Sequence, residues 1–354
     1  MSLETSFSTT VLNWFDQHGR KQLPWQETIT PYRVWVSEIM LQQTQVATVI
    51  PYFQRFMRRF CDVATLASAE EDDVLHYWSG LGYYSRARNL HKAAKQIVSE
   101  FNGQFPPSVQ ALVTLPGIGL STAGAIASIS MGIRAPILDG NVKRVLSRVK
   151  AIPGWPGKSS VTKKLWAIAD ELTPDTRTGD YTQAMMDLGA MVCTRTNPLC
   201  SACPLVEDCL ANQAGNQAQY PGRKPKKTLP EKSVSMLMII NEQGETLLQK
   251  RPSTGVWGGL WSFPETSAPD KGAMTIDTAV TIKLPLRQLE HWRPFRHTFS
   301  HYHLDITPIK AFSSKAHVRL DDARKWRWYQ LENPLELGLA APVTRLMKKL
   351  KASL

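Results

Sequence analysis

Four of the chain's five cysteines fall in one short segment, CTRTNPLCSACPLVEDC, and this segment constrains the fold more than any other. The candidate ligands are Cys193, Cys200, Cys203 and Cys209, with the spacing Cys-x6-Cys-x2-Cys-x5-Cys. Cysteine thiolates are soft ligands that suit zinc and iron–sulfur clusters. Zinc ribbons usually combine two Cys-x-x-Cys pairs and this segment has one, so the spacing favours one [4Fe–4S] cluster, with zinc or free thiols as alternatives.

The charge and hydropathy of the chain indicate what it binds and where it is located. Lys and Arg outnumber Asp and Glu by 42 to 30, and the resulting net charge of +12 favours a polyanionic partner, although solubility alone would also explain it. The sequence has no apolar run of about 18 residues, and its N-terminal segment lacks the pattern of a secretory signal. We therefore predict a cytoplasmic protein, in which structural disulfides are uncommon. Cys61 stands apart in an apolar context and is predicted to be a buried small hydrophobic residue.

The hydrophobic pattern divides the chain into regions. Residues 1–211 have apolar side chains at helical spacing, as in the long stretch that begins at Pro31, and predict a mainly helical region. Residues 212–233 are rich in Gly, Pro, Gln and Lys and predict a basic linker. Residues 234–354 predict a smaller α+β domain, with a hairpin at SVSMLMII–NEQGE–TLLQKR, strands in HTFSHYHLDITPIKAF and KWRWYQL, and a basic helix in PVTRLMKKLKASL.

A glycine-rich turn, LPGIG, separates two segments of helical pattern. Gly117 and Gly119, which follow Leu115, would allow a tight turn with backbone N–H groups that point outward. Such groups at the start of a helix bind anions, and in a basic chain a DNA phosphate is the expected occupant. A plain turn between two helices is the alternative.

Two carboxyl groups stand out by their surroundings. Asp139 follows an apolar run and precedes a helical segment, so we predict that it caps that helix and is ionised, with a lowered pKa. Glu38 lies among apolar neighbours on a predicted helix, where its carboxyl either has a raised pKa or reaches solvent at the helix edge. A protonated acid beside an ionised one is an arrangement that cleaves glycosidic bonds through oxocarbenium-like transition states.

Taken together, LPGIG, LDGNVKRV and the cysteine segment resemble the helix-hairpin-helix DNA glycosylases related to endonuclease III. LPWQ, VSEIMLQQTQV, GLGYYSRARNL and MMDLGAMVCT resemble the adenine-specific members, and GVWGGLWSFP and FRHTFSHYHLDI resemble their MutT-like (Nudix-fold) C-terminal domain. The resemblance covers nearly the whole chain. It implies a mainly α glycosylase domain, with its helix-hairpin-helix at about residues 109–128 and a [4Fe–4S] loop at 193–209, followed by an α+β Nudix-like domain.

The resemblance also implies a base excision repair enzyme that hydrolyses the N-glycosidic bond of adenine mispaired with 8-oxoguanine or guanine. Relatives that also cleave the strand carry a lysine where this chain has Ser121, and its amine attacks the sugar, so we expect a monofunctional enzyme that uses water. The alternatives are a bifunctional glycosylase and lyase of the endonuclease III type and a non-enzymatic iron–sulfur DNA-binding regulator.

Roles for the catalytic candidates follow from the resemblance. Glu38 would protonate the extruded adenine at N7 and then, once ionised, activate the incoming water. Asp139 would stabilise the positive sugar by its field or by a transient bond. Asn141 would hydrogen-bond the flipped adenine or Glu38, since an amide both donates and accepts.

Other residues would read the mispair. Gln43 would fill the space that adenine leaves, and Tyr83 would insert beside 8-oxoguanine. A loop formed by Phe299, Ser300 and His301 would contact the 8-oxoguanine side. The C-terminal domain has no Nudix metal-binding motif, so we expect recognition and no pyrophosphatase activity.

The expected partner is double-stranded DNA that contains A:8-oxoguanine or A:G mispairs, bound by a monomer at the nucleoid of a bacterium. Lys143, one helical turn after Asp139, would contact a phosphate or trap an opened abasic sugar. Many relatives have Arg where this chain has Leu120, so one phosphate contact is expected to be missing.

Overall fold

The chain folds into two units of different composition. The computed structural model describes residues 3–225, 228–266, 286–313, 325–333 and 335–354. One unit comprises residues 1–68 and 89–226, and the other comprises residues 69–88 and 227–354. The second unit therefore includes a short segment from the middle of the predicted helical region, together with the C-terminal part of the chain.

Helices make up the described part of the first unit, and helical segments also occur in the second. The helices of the described residues are α1 (Leu3–His18), α2 (Pro31–Leu41), α3 (Val46–Arg59), α4 (Val63–Ser68), α5 (Glu71–Trp78), α6 (Ser85–Phe101), α7 (Val109–Val113), α8 (Leu120–Met131), α9 (Gly140–Val149), α10 (Ser159–Glu171), α11 (Thr178–Asp187), α12 (Leu210–Gln213) and α13 (Ala341–Lys351). A π-helical turn, Leu188–Val192, follows α11, and 3₁₀ turns lie at Cys200–Ala202 and Gln217–Gln219.

Local signals set the ends of α2. Pro31 occupies the first turn, where its missing N–H costs nothing, and the hydroxyl of Thr30 accepts a hydrogen bond from the backbone N–H of Arg33 at 3.2 Å. The helical pattern from Pro31 to Val49 is divided between α2 and α3. Gln43 breaks it with a left-handed φ of 59°, a conformation that a helix cannot contain.

The core of the first unit holds α9 in place. The apolar face of α9, formed by Val142, Val145, Leu146 and Val149, is buried with side chains of α1, α10 and α11. Because this face is buried along its whole length, the start of α9 has a fixed position. Asp139 lies at that start.

In the described residues, the second unit contains an eight-stranded mixed sheet, the helices α5 and α13, and the first turn of α6. Its strands are β1 (Glu231–Ile240), β2 (Glu245–Lys250), β3 (Trp261–Ser262), β4 (Glu265–Thr266), β5 (Leu286–His291), β6 (Phe295–Thr298), β7 (His303–Ser313) and β8 (Trp326–Gln330). The main order is β3-β2-β1-β7-β5, with β4 beside β1, β6 beside β7 and β8 beside β2. The pair β1–β7 is parallel and the other pairs are antiparallel.

Most of the predicted β elements are confirmed. The NEQGE segment joins β1 and β2, with Ile240 opposite Thr246. The stretch HTFSHYHLDITPIKAF forms the hairpin β6–β7, so His297 and His303 lie on different strands and His301 lies in the turn. Among the described residues, no three His, Cys, Asp or Glu side chains form a metal site, and this includes these histidines.

The predicted linker, 212–233, has structure at both ends. Its first part lies against α9, because the carbonyl oxygens of Gln217 and Tyr220 accept hydrogen bonds from Arg148 at 3.1 and 3.0 Å. Its last part enters β1 at Glu231. Residues 226 and 227 of the linker lie outside the described residues. Within the part of the chain that the structure describes, no helix has the length and apolar character needed to cross a bilayer.

Candidate active site

Asp139 caps α9, as predicted. One carboxyl oxygen accepts a hydrogen bond from the backbone N–H of Val142 at 2.8 Å, and the other accepts one from the side-chain amide of Asn141 at 3.2 Å. The predicted lowering of its pKa is wrong. Burial raises the pKa of Asp139 and outweighs the hydrogen bonds and the positive charges of Arg144 and Lys143, which act to lower it.

Glu38 lies on α2 beside the buried side chains of Val34 and Trp35 and is itself half-buried. Burial, together with the smaller effect of the negative charge of Asp139, raises the pKa of Glu38 to about 8. The raised pKa that the sequence predicted is therefore confirmed. Asp139 has hydrogen bonds and cations that favour its charged form, whereas Glu38 has an anion nearby, so Asp139 ionises first and Glu38 holds its proton at neutral pH.

Asn141 and Arg144 extend the carboxyl pair into a chain of hydrogen bonds. The amide oxygen of Asn141 accepts a bond from the Arg144 guanidinium at 2.9 Å, while its amide N–H group donates to Asp139. The same guanidinium donates to the backbone carbonyls of Gly189 and Cys193, both at 2.6 Å. Asp139 is thus connected through two side chains to the first cysteine of the cysteine segment.

The π-helical turn is shaped around this chain of hydrogen bonds. A Cβ atom on Gly189 would lie 2.5 Å from the Cβ of Asn141, so the residue at this position has to be glycine. The close approach brings the Gly189 carbonyl within reach of Arg144. Single π-helical turns of this kind are frequent at functional sites.

The four clustered cysteines line one small cavity. Arg148, only 2 % exposed, also lines it and donates to the Sγ of Cys193 at 3.3 Å and to the backbone carbonyl of Thr194 at 2.7 Å. Burial, with a smaller effect of the neighbouring cysteines, raises the pKa of Cys203 to about 11. Among the described residues, no three His, Cys, Asp or Glu side chains converge on a single metal-ion position. The four thiols therefore line a shared cavity and do not meet at the position of one metal ion.

The fifth cysteine does not behave as predicted. Cys61 is exposed, because it follows the end of α3 in a connection whose next residue, Asp62, caps the N-terminal turn of α4 through the N–H of Thr65. The prediction of a buried Cys61 was wrong because apolar neighbours in sequence do not place a loop residue inside the core.

The LPGIG turn joins α7 and α8, as predicted. Gly117 has a φ of 81°, and a Cβ there would lie 2.8 Å from the Cβ of Asn89, so both the conformation and the close contact require glycine. Gly119 has a φ of −93° and open space where its Cβ would be. The start of α8 has no side-chain cap, which leaves backbone N–H groups available to an anion. Leu115 is buried under the turn.

The first residues of α8 differ in their surroundings. The hydroxyl of Ser121 accepts a hydrogen bond from the backbone N–H of Leu138 at 3.0 Å, which ties the hairpin to the residue before Asp139. Leu120 is 55 % exposed.

The second unit brings four of the mispair candidates to one cavity. Tyr83, Phe299, Ser300 and His301 all line a cavity of about 530 Å³. Tyr83 is 47 % exposed and has a left-handed φ of 49°. Gln43, in the first unit, is also exposed and left-handed. Non-glycine residues adopt this conformation at a cost of roughly 1–3 kcal/mol, and such strain is common at functional sites.

Several residues that shape these sites carry little or no signal in the sequence. Arg144 and Arg148 lie one helical turn apart after Asp139, and this spacing was their only signal. Arg86 is buried with its guanidinium 5.5 Å from the Tyr83 ring. Trp257 and Arg88 line the larger cavity, and nothing in their local sequence indicates this.

Comparison with known proteins agrees with this geometry. Residues 36–171 match the family model of the HhH-GPD superfamily of base excision DNA repair proteins, and residues 235–349 match that of the NUDIX domain. Among solved structures, a thermostable thymine-DNA glycosylase is 24% identical with a TM-score of 0.53, covering 60% of this chain and 97% of its own. An endonuclease III bound non-covalently to DNA is 20% identical with a TM-score of 0.50, covering 61% and 99%. These two establish the fold of the helical unit.

A helical hairpin beside a carboxyl pair, followed by a NUDIX domain, defines the chain as a base excision DNA repair protein of the HhH-GPD superfamily. Curated relatives specify it further. An adenine DNA glycosylase of Buchnera aphidicola is 40% identical over 348 residues, which is 98% of each chain. One of Rattus norvegicus is 35% identical over 405 residues, covering 98% of this chain and 77% of the rat protein. The chain belongs to the adenine DNA glycosylases, enzymes that hydrolyse the N-glycosyl bond of adenine in base excision repair.

Proposed function

We propose that this enzyme removes adenine mispaired with 8-oxoguanine or guanine and leaves the DNA strand uncut. The observation that carries the proposal is the carboxyl pair: a half-buried Glu38 whose pKa is raised to about 8, within the field of Asp139 at the cap of α9. A general acid that is protonated at neutral pH is what the departure of adenine needs, because adenine is a poor leaving group without a proton.

The reaction then follows from the properties of the pair. The adenine is extruded from the duplex, and Glu38 gives its proton to N7. The bond between sugar and base breaks, its electrons leave with the neutral adenine, and the sugar becomes an oxocarbenium ion. Asp139 stabilises that cation, and the ionised Glu38 takes a proton from the water that attacks it. This restores the protonated Glu38.

Asn141 and Arg144 support Asp139 in this scheme. The amide of Asn141 is engaged by Asp139 on one side and by Arg144 on the other. It therefore orients the Asp139 carboxylate, while the expected bond of Asn141 to the flipped adenine or to Glu38 stays a prediction.

Hydrolysis without strand cleavage is supported by Ser121. Its hydroxyl is held by the N–H of Leu138, and a hydroxyl cannot form the imine that strand cleavage requires. Lys143, half-buried on the first turn of α9, contacts a DNA phosphate in this proposal.

Recognition of the DNA uses separate parts of the chain. The uncapped start of α8, after Leu115, Gly117 and Gly119, binds a phosphate of double-stranded DNA. Gln43 fills the gap that adenine leaves. The cavity formed by Tyr83 and the turn of Phe299, Ser300 and His301 receives the 8-oxoguanine side.

We propose a [4Fe–4S] cluster in the cysteine cavity. The residues fit such a group, because four thiols surround one space and the Arg148 guanidinium donates to the Sγ of Cys193, as it would to an anionic sulfur. The ligands would be Cys193, Cys200, Cys203 and Cys209. When bound, the cluster would brace the loop that carries the exposed Arg195. Iron and acid-labile sulfide in equal amounts would support the cluster, and zinc without sulfide would contradict it.

Each region of the chain has its own role in this proposal. Residues 1–211 carry catalysis, residues 212–233 link the two domains, and residues 234–354 recognise 8-oxoguanine. The enzyme acts as a monomer at the bacterial nucleoid.

The experiment is incubation with duplexes that contain A:8-oxoguanine, A:G or A:T, followed by hot alkali to reveal abasic sites. Alkali-dependent cleavage at the adenine of both mispairs, and none at A:T, is expected. Cleavage without alkali, or a borohydride-trapped adduct formed as fast as adenine is released, would favour the bifunctional alternative. Tight binding without adenine release would favour the DNA-binding regulator.

A further inference from the structure

The loop between β2 and β3 lies between the two segments that line the recognition cavity. This loop, Arg251–Leu260, is closed by backbone hydrogen bonds from Arg251 N–H to the carbonyl of Leu260 at 2.9 Å and from Gly259 N–H to the carbonyl of Pro252 at 3.0 Å. Its residues 255–258 line the cavity with Tyr83 and the turn at 299–301. These bonds hold the loop in one conformation, so a contact on its Tyr83 side can fix the position of residues on the side of the turn at 299–301.

On one side, the loop supports the recognition turn. The ring of Trp257, 9 % exposed, packs against Phe299 and His297 with centroid distances of 5.1 and 5.5 Å. Phe299 begins a tight turn, because its N–H donates to the carbonyl of Tyr302 at 2.9 Å. Trp257 has a left-handed φ of 55°, which sets the direction of its ring at a cost in backbone strain.

On the other side, the loop is bound to the segment of Tyr83. Arg88 lies on the first turn of α6, where its N–H donates to the carbonyl of Tyr84 at 3.1 Å. Its guanidinium donates to the backbone carbonyl of Gly258 and is half-buried at the wall of the cavity. A Cβ on Gly258 would lie 2.6 Å from the carbonyl oxygen of Ser253, so this carbonyl belongs to tightly packed backbone.

We propose that Arg88 is a positioning residue for mispair discrimination. Through the Gly258 carbonyl and the Trp257 ring, it sets the distance between Tyr83 and the turn at 299–301. This inference rests on the proposed recognition of 8-oxoguanine by that cavity. The guanidinium of Arg88 acts on the backbone of the recognition loop, so its loss should affect the choice of the opposite base more than the chemistry of adenine release.

The test is Arg88→Met in the full-length enzyme, which keeps the aliphatic stem and removes the donors. Single-turnover adenine release is measured on A:8-oxoguanine and A:G duplexes, with the melting temperature and DNA binding measured in parallel. Because small misplacements of contacting groups cost up to about 100-fold, we expect the preference for 8-oxoguanine to fall by roughly 10- to 100-fold, with the A:G rate unchanged. Arg345→Met, an exposed arginine of the same unit outside the cavity, is the matched control and should keep the wild-type preference.

A double-mutant cycle with Phe299→Ala separates positioning from stability. If Arg88 acts through the turn, Arg88→Met removes little further preference in the Phe299→Ala background. Arg88→Lys, which keeps a charged donor, should restore part of the preference and serves for the cycle if the methionine variant folds poorly. Additive losses, equal losses on both mispairs, or an unchanged preference would each overturn the inference. A wild-type enzyme without any preference for 8-oxoguanine would instead overturn the proposed function.

Discussion

Glu38 and Asp139 are two half-buried carboxyls, and they differ in the groups that surround them. Asp139 receives a backbone N–H, a side-chain amide and the field of two cations, and each favours its anion. Glu38 instead lies in the field of the Asp139 anion, which favours the neutral acid. The pair therefore holds one proton, on Glu38, while Asp139 is ionised. Adenine release needs this protonation state.

The raised pKa of Glu38 makes stability depend on pH. Folding raises this pKa from an ordinary value of 4.5 to about 8, so the folded enzyme binds more protons than the unfolded chain between those values. Stability from this group is complete below pH 4.5 and is lost as pH rises toward 8. We expect Glu38→Gln, which cannot ionise, to raise the melting temperature relative to wild type increasingly between about pH 5 and 8. A difference in melting temperature that stays constant over this range would contradict the assignment.

Arg144 tests the connection between the carboxyl pair and the cysteine segment. Arg144→Met removes the donors to Asn141, Gly189 and Cys193. Because groups that orient a functional residue typically contribute 10- to 100-fold, we expect single-turnover adenine release to slow by roughly that factor. Arg134→Met, which breaks an exposed ion pair with Asp170, is the control and should change the rate little. Equal rates in the two variants would mean that the hydrogen-bond chain has no catalytic role.

At the scale of elements, the two glycines of the hairpin between α7 and α8 have different roles: Gly117 is structural, and Gly119 is functional. Gly117→Ala places a Cβ against Asn89 at a left-handed φ, so we expect the free energy of unfolding to fall by roughly 1–3 kcal/mol. Gly119→Ser meets open space at a capping position that serine favours, so stability should be kept.

The serine hydroxyl of Gly119→Ser would occupy the N–H groups that we assign to a DNA phosphate. We therefore expect weaker DNA binding, with a salt dependence shallower by about one unit, measured as log Kd against log salt. Unchanged affinity in a stable variant would remove the phosphate from the start of α8.

Local chemistry explains which elements the sequence could predict. The Asp139 cap, the glycine turn and the β1–β2 hairpin depend on a few neighbouring residues, and the structure confirms them. The break at Gln43, the π-helical turn and the bonds of Arg144 depend on packing between distant segments, which periodicity does not encode. The pKa of Asp139 was mispredicted for the same reason, because its burial comes from tertiary structure.

At the scale of the whole molecule, residues 69–88 belong to the same unit as the C-terminal domain. Tyr84 donates its hydroxyl to the carbonyl of Leu339 at 3.1 Å, and Leu339 N–H donates to the hydroxyl of Ser79 at 3.3 Å. Asp72 pairs with Lys250 at 2.7 Å. The sequence could not predict this division, since the contacts join segments more than 150 residues apart, as for Asp72 and Lys250. Tyr83 is therefore supported by the domain that also carries the recognition turn.

Truncation at residue 226 should remove both the recognition turn and the contacts that support the Tyr83 segment. We expect it to lower the preference for A:8-oxoguanine over A:G more than the double substitution Ser300→Ala and His301→Ala in the full chain, because it also removes the support of residues 69–88. Single-turnover rates on both mispairs measure this. Equal effects of truncation and double substitution would show that the support of the Tyr83 segment does not contribute.

The pH dependence of adenine release by wild type and Glu38→Gln is the most direct test of the central claim. In single turnovers on an A:8-oxoguanine duplex, the wild-type rate should fall as pH rises through about 8, where Glu38 loses its proton. Glu38→Gln should be slower by roughly 10²–10⁴-fold, should lack this decline and should still bind DNA. A variant that releases adenine at a rate near that of wild type would contradict the account.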